Sequence, residues 1–337
     1  MDTINVLITL PFTADLIEEL ASISPQLSIS QREARSVEDI ADLISEVDIL
    51  YAWQILPLPE AAPRLRWVQL HGAGIDHLLE HPLFTQSEVM FTTASGVHVI
   101  TMAEYVLAQI LAFAHRLPRM FEDKVSGTWS RPRWDRYVPD VLHGATLGII
   151  GYGSVGRQVA RLAQAFGMRI LAVKRDVRQL ADNSYTIAGT GDPEGEIPER
   201  IYPPQGLRSF LRECDYVVLT VPLNQQTHHL INAAMLSAMK SSAILINVSR
   251  GNVVDEAALV EALEKGIIGG AALDVFSEEP LPLDSPLWKL PNVIISPHVA
   301  GFMPDYYDRA AELFAENLRR FLAGEPLFNL VDRSRGY

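Results

Sequence analysis

The sequence predicts an α/β protein with two doubly wound parallel sheets, and three observations support that fold class. Short apolar runs alternate with helical patterns along most of the chain, as expected for parallel strands joined by crossover helices. A glycine turn with the spacing G-x-G-x-x-G follows one of these runs near the middle of the chain. The 337 residues, 48% of them hydrophobic, are enough for two domains that each bury a core.

Charge and composition exclude several classes of protein. The net charge of −13 disfavours a broad surface for nucleic acid or anionic membrane, because such surfaces need clustered cations. No run approaches eighteen apolar residues, and the first residues lack the positive region of a secretory signal. We therefore expect a cytoplasmic protein that binds neither nucleic acid nor membrane.

The first hundred residues predict a small α/β unit. Strands are expected over residues 5–9, 48–53, 66–70 and 89–93. Directly after the third of these comes the loop His-Gly-Ala-Gly-Ile-Asp, in which Gly72 and Gly74 leave backbone amides free for an anion such as a carboxylate. The same loop also reads as an ordinary tight turn. Trp53 follows another strand, where it either forms the wall of a pocket or packs into the core.

A histidine pattern in the same region resembles a metal site. Residues 77–81 spell H-x-x-E-H, a zinc-hydrolase pattern that needs both histidines on one face of a continuing helix. Pro82 disfavours helical geometry at the preceding His81. We therefore expect no metal site here.

A long apolar helix is expected over residues 101–117, followed by an irregular arm over 118–142. The arm carries Trp129 and Trp134 among several arginines. Exposed aromatic side chains on an arm favour contact with a second copy of the chain, and packing against the same chain is the alternative. On this basis the sequence predicts a homodimer.

The glycine turn opens a nucleotide-binding unit of the Rossmann type. An apolar strand is expected over residues 145–150, a helix follows from about Ser154 and Val155, and a second strand covers 169–173. Glycine lets the backbone approach a pyrophosphate closely, and the N–H groups at the helix N-terminus face its negative charge. The three glycines of the turn are Gly151, Gly153 and Gly156.

The end of the second strand bears on the choice of coenzyme. An NAD-binding domain usually places Asp or Glu there for the ribose 2′-hydroxyl, but this chain has Lys174 and Arg175. Two cations at this point favour a 2′-phosphate, so the sequence predicts NADP(H). Asp176 is close enough in sequence to hold a ribose, which leaves NAD(H) open, and a solvated basic strand end is the third interpretation.

The second half of the chain continues the alternation. Residues 181–206 show no apolar period and predict a surface loop. The other expected elements are strands over 216–220, 243–248, 271–275 and 293–296 and helices over 256–265 and 305–322.

Ligands of open parallel sheets bind beyond the carboxyl ends of the strands, so the residues found there are candidates for chemistry. Arg250 presents a planar fork that can hold a carboxylate and polarise a carbonyl. His298 can transfer a proton near neutral pH, and Glu279 can orient that imidazole. Each also has a purely structural interpretation, but their joint placement favours a catalytic set. Pro222 and Asp274 follow two further strands.

The motifs together resemble the D-isomer-specific 2-hydroxyacid dehydrogenase family. They are HGAGIDHL, GYGSVG, VPLNQQTHHLI, NVSRGNVVDEAAL, AALDVFSEEP and SPHVAG, and they cover nearly the whole chain in the family's order. Glu279 stands 29 residues after Arg250 (279 − 250), and His298 stands 19 after Glu279 (298 − 279), similar to the family's Arg, Glu, His spacing.

The resemblance implies roles for these residues. Arg250 would bind the substrate's carboxylate and carbonyl oxygen, His298 would transfer the proton, and Glu279 would pair with His298. Asp274 would contact the nicotinamide carboxamide. Pro222 is a candidate contact of the coenzyme from its position past the end of a strand. The substrate's carboxylate would also meet backbone amides at Ala73 and Gly74.

The resemblance also implies a domain plan and an activity. A Rossmann domain, residues 103–297, would be inserted in a flavodoxin-like substrate domain, residues 1–102 and 298–337. The activity would be hydride transfer between NADP(H), or NAD(H), and C2 of a small 2-keto or 2-hydroxy acid such as glyoxylate or hydroxypyruvate. The alternative is a nucleotide-sensing, corepressor-like interaction protein without significant turnover.

Overall fold

The structure is a computed structural model that describes residues 3–182 and 184–336. The chain divides into two compact units. Unit 1 comprises Met1–Val97, Ser184–Ile187 and Met303–Tyr337, and unit 2 comprises His98–Asn183 and Ala188–Phe302. The main boundaries lie five residues from the predicted ones (102 − 97 and 302 − 297).

Unit 1 is built on one parallel sheet, which has five strands within the described residues, in the order β2-β1-β3-β4-β5. This is the flavodoxin-like order that the sequence predicted for the substrate domain. Its strands are β1 (Ile4–Ile8), β2 (Leu27–Gln31), β3 (Ile49–Ala52), β4 (Trp67–Leu70) and β5 (Met90–Thr92), and its α-helices are α1 (Ala14–Ser22), α2 (Pro82–Thr85) and α10 (Tyr306–Ala323).

The last helix completes the core of unit 1. Its buried Phe314 packs on Tyr51 of β3 and Trp67 of β4, with ring centroids 4.9 and 5.4 Å apart. Buried aromatic side chains of this size remove a large apolar area from water, so the C-terminal helix stabilises a sheet formed by the start of the chain.

Unit 2 is built on a second parallel sheet, with seven strands among the described residues, in the order β12-β11-β10-β9-β6-β7-β8. Counted from β6, the first six strands have the order 3-2-1-4-5-6 of a Rossmann fold, so the predicted fold class is confirmed. The strands are β6 (Thr146–Ile150), β7 (Arg169–Val173), β8 (Arg200–Tyr202), β9 (Tyr216–Leu219), β10 (Ile244–Asn247), β11 (Gly270–Leu273) and β12 (Val293–Ile295). The α-helices are α3 (Val99–Ala114), α4 (Leu117–Val125), α5 (Arg133–Tyr137), α6 (Ser154–Ala165), α7 (Leu207–Leu211), α8 (Ala233–Leu236) and α9 (Glu256–Glu264).

Two segments that the sequence left without structure contain regular elements. The arm after the long helix forms α4 and α5, which Arg136 joins by donating to both carboxylate oxygens of Asp123 at 2.8 and 2.9 Å. The predicted loop over 181–206 contains the edge strand β8. Both predictions were wrong in these parts, because short elements with mixed polar and apolar residues carry a weak periodic signal.

The same loop also departs from the predicted domain plan. Its residues Ser184–Ile187 belong to unit 1 although the chain on either side belongs to unit 2. Within unit 1, the Tyr185 N–H donates to Asn329 Oδ1 at 3.3 Å, and the Tyr185 ring lies 6.1 Å from that of Phe328.

Across the residues that the structure describes, no helix is both long enough and apolar enough to span a lipid bilayer.

Candidate active site

The glycine turn after β6 leads directly into α6. Gly151 has a φ of +101°, and its N–H donates to the carbonyl oxygen of Val173 on β7 at 3.0 Å. A Cβ at Gly156 would lie 2.4 Å from the Gly151 carbonyl oxygen, so a larger residue would force the turn open. The turn is therefore held tight by glycine at both ends.

This turn fits a pyrophosphate. Gly153 is the N-cap of α6 and provides no side-chain acceptor for the first N–H groups of the helix, at Ser154 and Val155. A Cβ built at Gly153 meets no atom within 4 Å, so the space in front of the helix N-terminus is open. Free N–H groups and the positive end of the helix dipole suit the negative charge of a dinucleotide at this position.

The two cations predicted to choose the coenzyme lie just past β7. Lys174 is half-buried, and its ammonium group donates to the carbonyl oxygen of Gln179. Burial, together with the nearby Arg157 guanidinium, lowers the pKa of Lys174. Arg175 is exposed. One cation is therefore held in place by the following loop, and the other projects towards solvent.

Pro222 lies beyond the end of β9, which is the neighbour of β6 in the sheet. It is exposed, and its carbonyl oxygen accepts a hydrogen bond of 2.6 Å from the Thr227 hydroxyl. The sheet order reverses between β6 and β9, and open α/β sheets bind their ligands at such a reversal. Contact of Pro222 with the coenzyme stays a prediction.

Arg250 follows β10 in a segment fixed by Asn247. The Asn247 side chain accepts from the Ser249 N–H at 3.1 Å and donates to the Arg250 carbonyl oxygen at 3.0 Å. The Arg250 guanidinium donates to the Ser249 carbonyl oxygen at 2.8 Å through Nη1. Burial and the Arg250 charge lower the pKa of His98 to about 4, so His98 adds no second positive charge near neutral pH.

The chain after Arg250 packs directly on the loop that carries Glu279. A Cβ at Gly251 would lie 1.8 Å from the backbone carbonyl of Phe276, so only glycine allows this approach. The Phe276 N–H in turn donates to Glu279 Oε1 at 3.0 Å. The structure thus brings two of the three predicted catalytic segments together through backbone contact.

Asp274, at the end of β11, holds the loop that contains His298. Its Oδ1 accepts from the Val299 N–H at 2.9 Å and from the Ser296 hydroxyl at 2.6 Å, and its Oδ2 accepts from the Ala300 N–H at 2.9 Å. The side chain is buried, and its backbone carbonyl accepts from the His298 N–H at 2.8 Å. Asp274 thus positions the histidine, a role that the sequence did not suggest, and its contact with a nicotinamide stays a prediction.

His298 and Glu279 form a direct pair. The histidine Nδ1 lies 2.8 Å from Glu279 Oε2, and both side chains are partly exposed to solvent. Because Glu279 accepts at Nδ1, it fixes the ring and leaves Nε2 to exchange a proton with a substrate. His298 has a φ of +54°, so its backbone lies in the left-handed region, which sets the direction of its side chain.

Unit 1 carries the predicted carboxylate loop with Ala73 and Gly74. The preceding His71 is buried, its Nδ1 lies 2.7 Å from the Tyr51 hydroxyl, and its carbonyl oxygen accepts from the Tyr306 hydroxyl at 2.8 Å. Burial lowers the pKa of His71 to about 4, so this anchor is neutral near pH 7. The loop therefore starts from a fixed, uncharged position, while binding of a carboxylate by its amides stays a prediction.

Trp53 lies beside the same anchor at the end of β3. Its ring centroid is 5.4 Å from that of His71, and half of the residue's surface is exposed. Trp53 is therefore not a fully packed core side chain, while its place in the wall of a pocket stays a prediction.

The H-x-x-E-H pattern does not form one helix. His77 lies in the short 3₁₀ helix Asp76–Leu78, whereas His81 caps α2 and accepts from the Leu83 N–H at 3.1 Å. The described residues contain no group of three or more His, Cys, Asp or Glu side chains placed to hold a metal ion.

Several supporting residues were missed at the level of sequence. Asn247 and Ser296 are polar residues at the ends of apolar strands, a signal that could have identified them. Tyr306 carried no such signal, because its partner His71 lies 235 residues away.

Comparison with known proteins agrees with these motifs. Residues 107–300 match the family model described as D-isomer specific 2-hydroxyacid dehydrogenase, NAD binding domain. A glyoxylate reductase from Korarchaeum cryptofilum is 40% identical over 277 residues, which cover 81% of this chain and 78% of that protein.

Solved structures show the same similarity over the full length. A D-isomer specific 2-hydroxyacid dehydrogenase from Xanthobacter autotrophicus Py2, in complex with NADPH and MES, is 29% identical with a TM-score of 0.80, covering 100% of both chains. An NADPH-dependent glyoxylate/hydroxypyruvate reductase from Sinorhizobium meliloti is 27% identical with a TM-score of 0.76, covering 99% of this chain and 100% of that chain. Together with the Arg250, Glu279 and His298 arrangement, these findings lead to one conclusion. The chain belongs to the D-isomer specific 2-hydroxyacid dehydrogenase family.

Proposed function

We propose that this protein reduces small 2-keto acids with NADPH, and that glyoxylate and hydroxypyruvate are its best substrates. The observation that carries the proposal is the His298–Glu279 pair at 2.8 Å. A glutamate that holds Nδ1 keeps the imidazole ready to donate from Nε2 to a carbonyl oxygen. The names of the relatives from Korarchaeum cryptofilum and Sinorhizobium meliloti support the substrate class.

Each residue has a separate task in this reaction. Bound NADPH supplies the hydride. The Arg250 guanidinium binds the carboxylate of the keto acid and polarises its carbonyl group, since its fork matches carboxylate geometry. His298 gives a proton to the carbonyl oxygen as the alkoxide forms, and the Glu279 carboxylate holds the imidazole ring in position for the transfer. In the oxidative direction His298 takes that proton back.

Steady-state turnover tests the substrate assignment. Purified protein is mixed with NADPH or NADH and with glyoxylate, hydroxypyruvate, pyruvate or bulkier 2-keto acids, and coenzyme oxidation is followed at 340 nm. We expect the fastest turnover with NADPH as the coenzyme and glyoxylate or hydroxypyruvate as the substrate. A higher kcat/KM for a bulky acid would contradict the substrate assignment. Coenzyme binding with no turnover for any acid would instead support the nucleotide-sensing alternative.

The Lys174→Ala variant tests the coenzyme preference in the same assay. A charge-assisted hydrogen bond contributes about 1.5–3 kcal/mol, so kcat/KM for NADPH should fall roughly 10- to 150-fold. The value for NADH should change little, because NADH has no 2′-phosphate. Lys289, an exposed lysine of unit 2 outside the arm of α4 and α5, provides the control variant Lys289→Ala. Equal losses with both coenzymes would refute a role for Lys174 in choosing NADPH.

We also propose that the protein is a homodimer that associates through the arm containing α4 and α5. Trp129 and Trp134 are 76% and 78% exposed on this arm, and Phe121 of α4 is 60% exposed. An ordered segment with this much exposed aromatic surface is typical of a contact with another copy. The cytoplasmic location stays the prediction made from the sequence.

Sedimentation equilibrium tests the dimer. The wild-type protein should have twice the 37.4 kDa mass of one chain. Trp134→Glu should shift the population towards monomers, whereas Trp288→Glu, at an exposed tryptophan of unit 2 outside the arm, should not. A monomeric wild type, or equal effects of the two variants, would contradict this interface.

A further inference from the structure

A buried arginine at the start of α6 holds the loop that follows β7, through residues on both sides of that loop. Arg157, in the first turns of α6, is only 1% exposed. Its guanidinium donates to the carbonyl oxygens of Leu180 and Asp192, and its Nε lies 3.2 Å from the Asp182 carboxylate. A buried cation is costly unless it is paired in this way, so the contacts are the reason the arginine can be inside.

Two neighbours of Arg157 bind the same loop. The hydroxyl of Tyr152, the second residue of the glycine turn, donates to Asp192 Oδ2 at 2.6 Å. Gln158 accepts from the Gly191 N–H at 2.6 Å. The glycine turn and the start of α6 therefore hold one loop at three residues, Tyr152, Arg157 and Gln158.

The loop is also closed on itself at these points. The Asp182 N–H donates to the Pro193 carbonyl oxygen at 2.9 Å, which joins its two legs. The Asp192 carboxylate accepts from the N–H groups of Glu196 and Ile197, each at 3.0 Å. Movement of either leg must therefore break contacts in the other.

The guanidinium of Arg157 is not placed as a phosphate ligand. Both terminal nitrogens donate to backbone carbonyls of the loop, and the face of the group covers the Tyr152 ring at 4.9 Å. The cation of this region that can reach a coenzyme is Lys174, at the end of β7. The loop holds its ammonium group, which donates to the Gln179 carbonyl oxygen. Gln179 precedes Leu180, the first residue that Arg157 holds.

We propose that Arg157, with Tyr152 and Asp192, is a positioning residue for coenzyme selection, which keeps the loop closed so that Lys174 is in place for a 2′-phosphate. The inference rests on the proposed preference for NADPH. It assigns a function to residues 176–182 and 188–199 of the loop after β7, beyond the two cations themselves. Loss of the anchor releases residues 179–182 and leaves Lys174 without a fixed acceptor.

Arg157→Met tests the anchor, because it keeps an unbranched apolar side chain and removes the guanidinium. We expect kcat/KM for NADPH to fall about tenfold or more, through KM, with NADH changed by less than about threefold. Tyr152→Phe keeps the ring and removes only the hydroxyl, so it should shift the same ratio by a smaller factor. Arg208→Met, at an exposed arginine of α7, is the control and should leave the ratio unchanged.

Two measurements without turnover separate the possible failures. Hydrogen exchange of the peptide over 176–199 should become faster in Arg157→Met and Tyr152→Phe but not in Arg208→Met. Calorimetry should show that Arg157→Met and Tyr152→Phe bind adenosine 2′,5′-bisphosphate more weakly than the wild type does. Their affinity for adenosine 5′-monophosphate should be unchanged. Unchanged hydrogen exchange, or an equal loss of affinity for both nucleotides, would overturn the proposed positioning role of Arg157.

A wild-type protein that binds the two nucleotides equally would overturn the NADPH preference and this inference with it. Turnover of 2-keto acids would stand in that case. If Arg157→Met does not fold, Tyr152→Phe decides the question, because an unchanged coenzyme ratio together with unchanged exchange in that variant refutes the proposal.

Discussion

Replacing His298 is expected to lower kcat for keto-acid reduction by roughly 10²- to 10⁴-fold, the usual contribution of a positioned general acid. The best variant is His298→Asn. The residue has a φ of +54°, a conformation that asparagine tolerates better than alanine, so the loop held by Asp274 should keep its shape. Asparagine cannot donate a proton at neutral pH as an imidazolium can, so only the chemical step should suffer.

Coenzyme binding and thermal unfolding should accordingly remain near wild type in His298→Asn. His298→Ala should lose similar activity but also some stability, because of its backbone strain. His115→Ala, at an exposed histidine that ends α3, is the matched control and should retain full activity. Near-normal kcat in a folded His298→Asn protein would exclude the proposed proton transfer.

The Arg250→Lys variant should lose most of its kcat/KM although it keeps the positive charge. An ammonium cannot reproduce two parallel hydrogen bonds to a carboxylate, nor the bond from the guanidinium to the Ser249 carbonyl oxygen. A hydrogen bond to a charged group contributes about 1.5–3 kcal/mol, so the loss of one of the two parallel bonds corresponds to roughly a 10- to 150-fold loss of kcat/KM.

A substrate without a carboxylate isolates this role. The wild-type protein should strongly prefer glyoxylate over glycolaldehyde, and Arg250→Lys should lose much of that preference because glycolaldehyde has no carboxylate to bind. Arg208→Lys serves as the control for a charge-conserving change at an exposed position. If Arg250→Lys lowered kcat/KM equally for both compounds, carboxylate binding would not be the function of Arg250.

The central strands could be predicted from sequence because they are buried on both faces. β7 was predicted at its observed ends, Arg169 and Val173, and β6 is buried throughout. A fully buried parallel strand is a continuous apolar run, which needs no knowledge of its partners.

The edge strands were harder to predict for the opposite reason. β2 (Leu27–Gln31) has a single buried residue, Leu27, and β8 (Arg200–Tyr202) is only three residues long. One face of such a strand stays in water, so polar residues interrupt its pattern. The sequence did not predict β2 and assigned β8 to a loop.

The sequence by itself determined the fold class and the glycine turn, and it identified the residues that we propose to be catalytic. These depend on local order, because Gly151 directly follows β6, and Arg250 and His298 lie shortly after the ends of β10 and β12. Ligands of a parallel sheet lie at that edge whatever the rest of the chain does.

Only the tertiary structure decided what supports those residues. Arg157 is inside the protein, and Tyr152 reaches Asp192, 40 residues further along the chain. The segment Ser184–Ile187 joins unit 1 from within a loop of unit 2. Arginine and tyrosine are commonly exposed or half-buried, and their burial becomes favourable only when distant carbonyl and carboxylate groups meet them. A local pattern of residues does not show which distant carbonyl and carboxylate groups will meet a buried side chain.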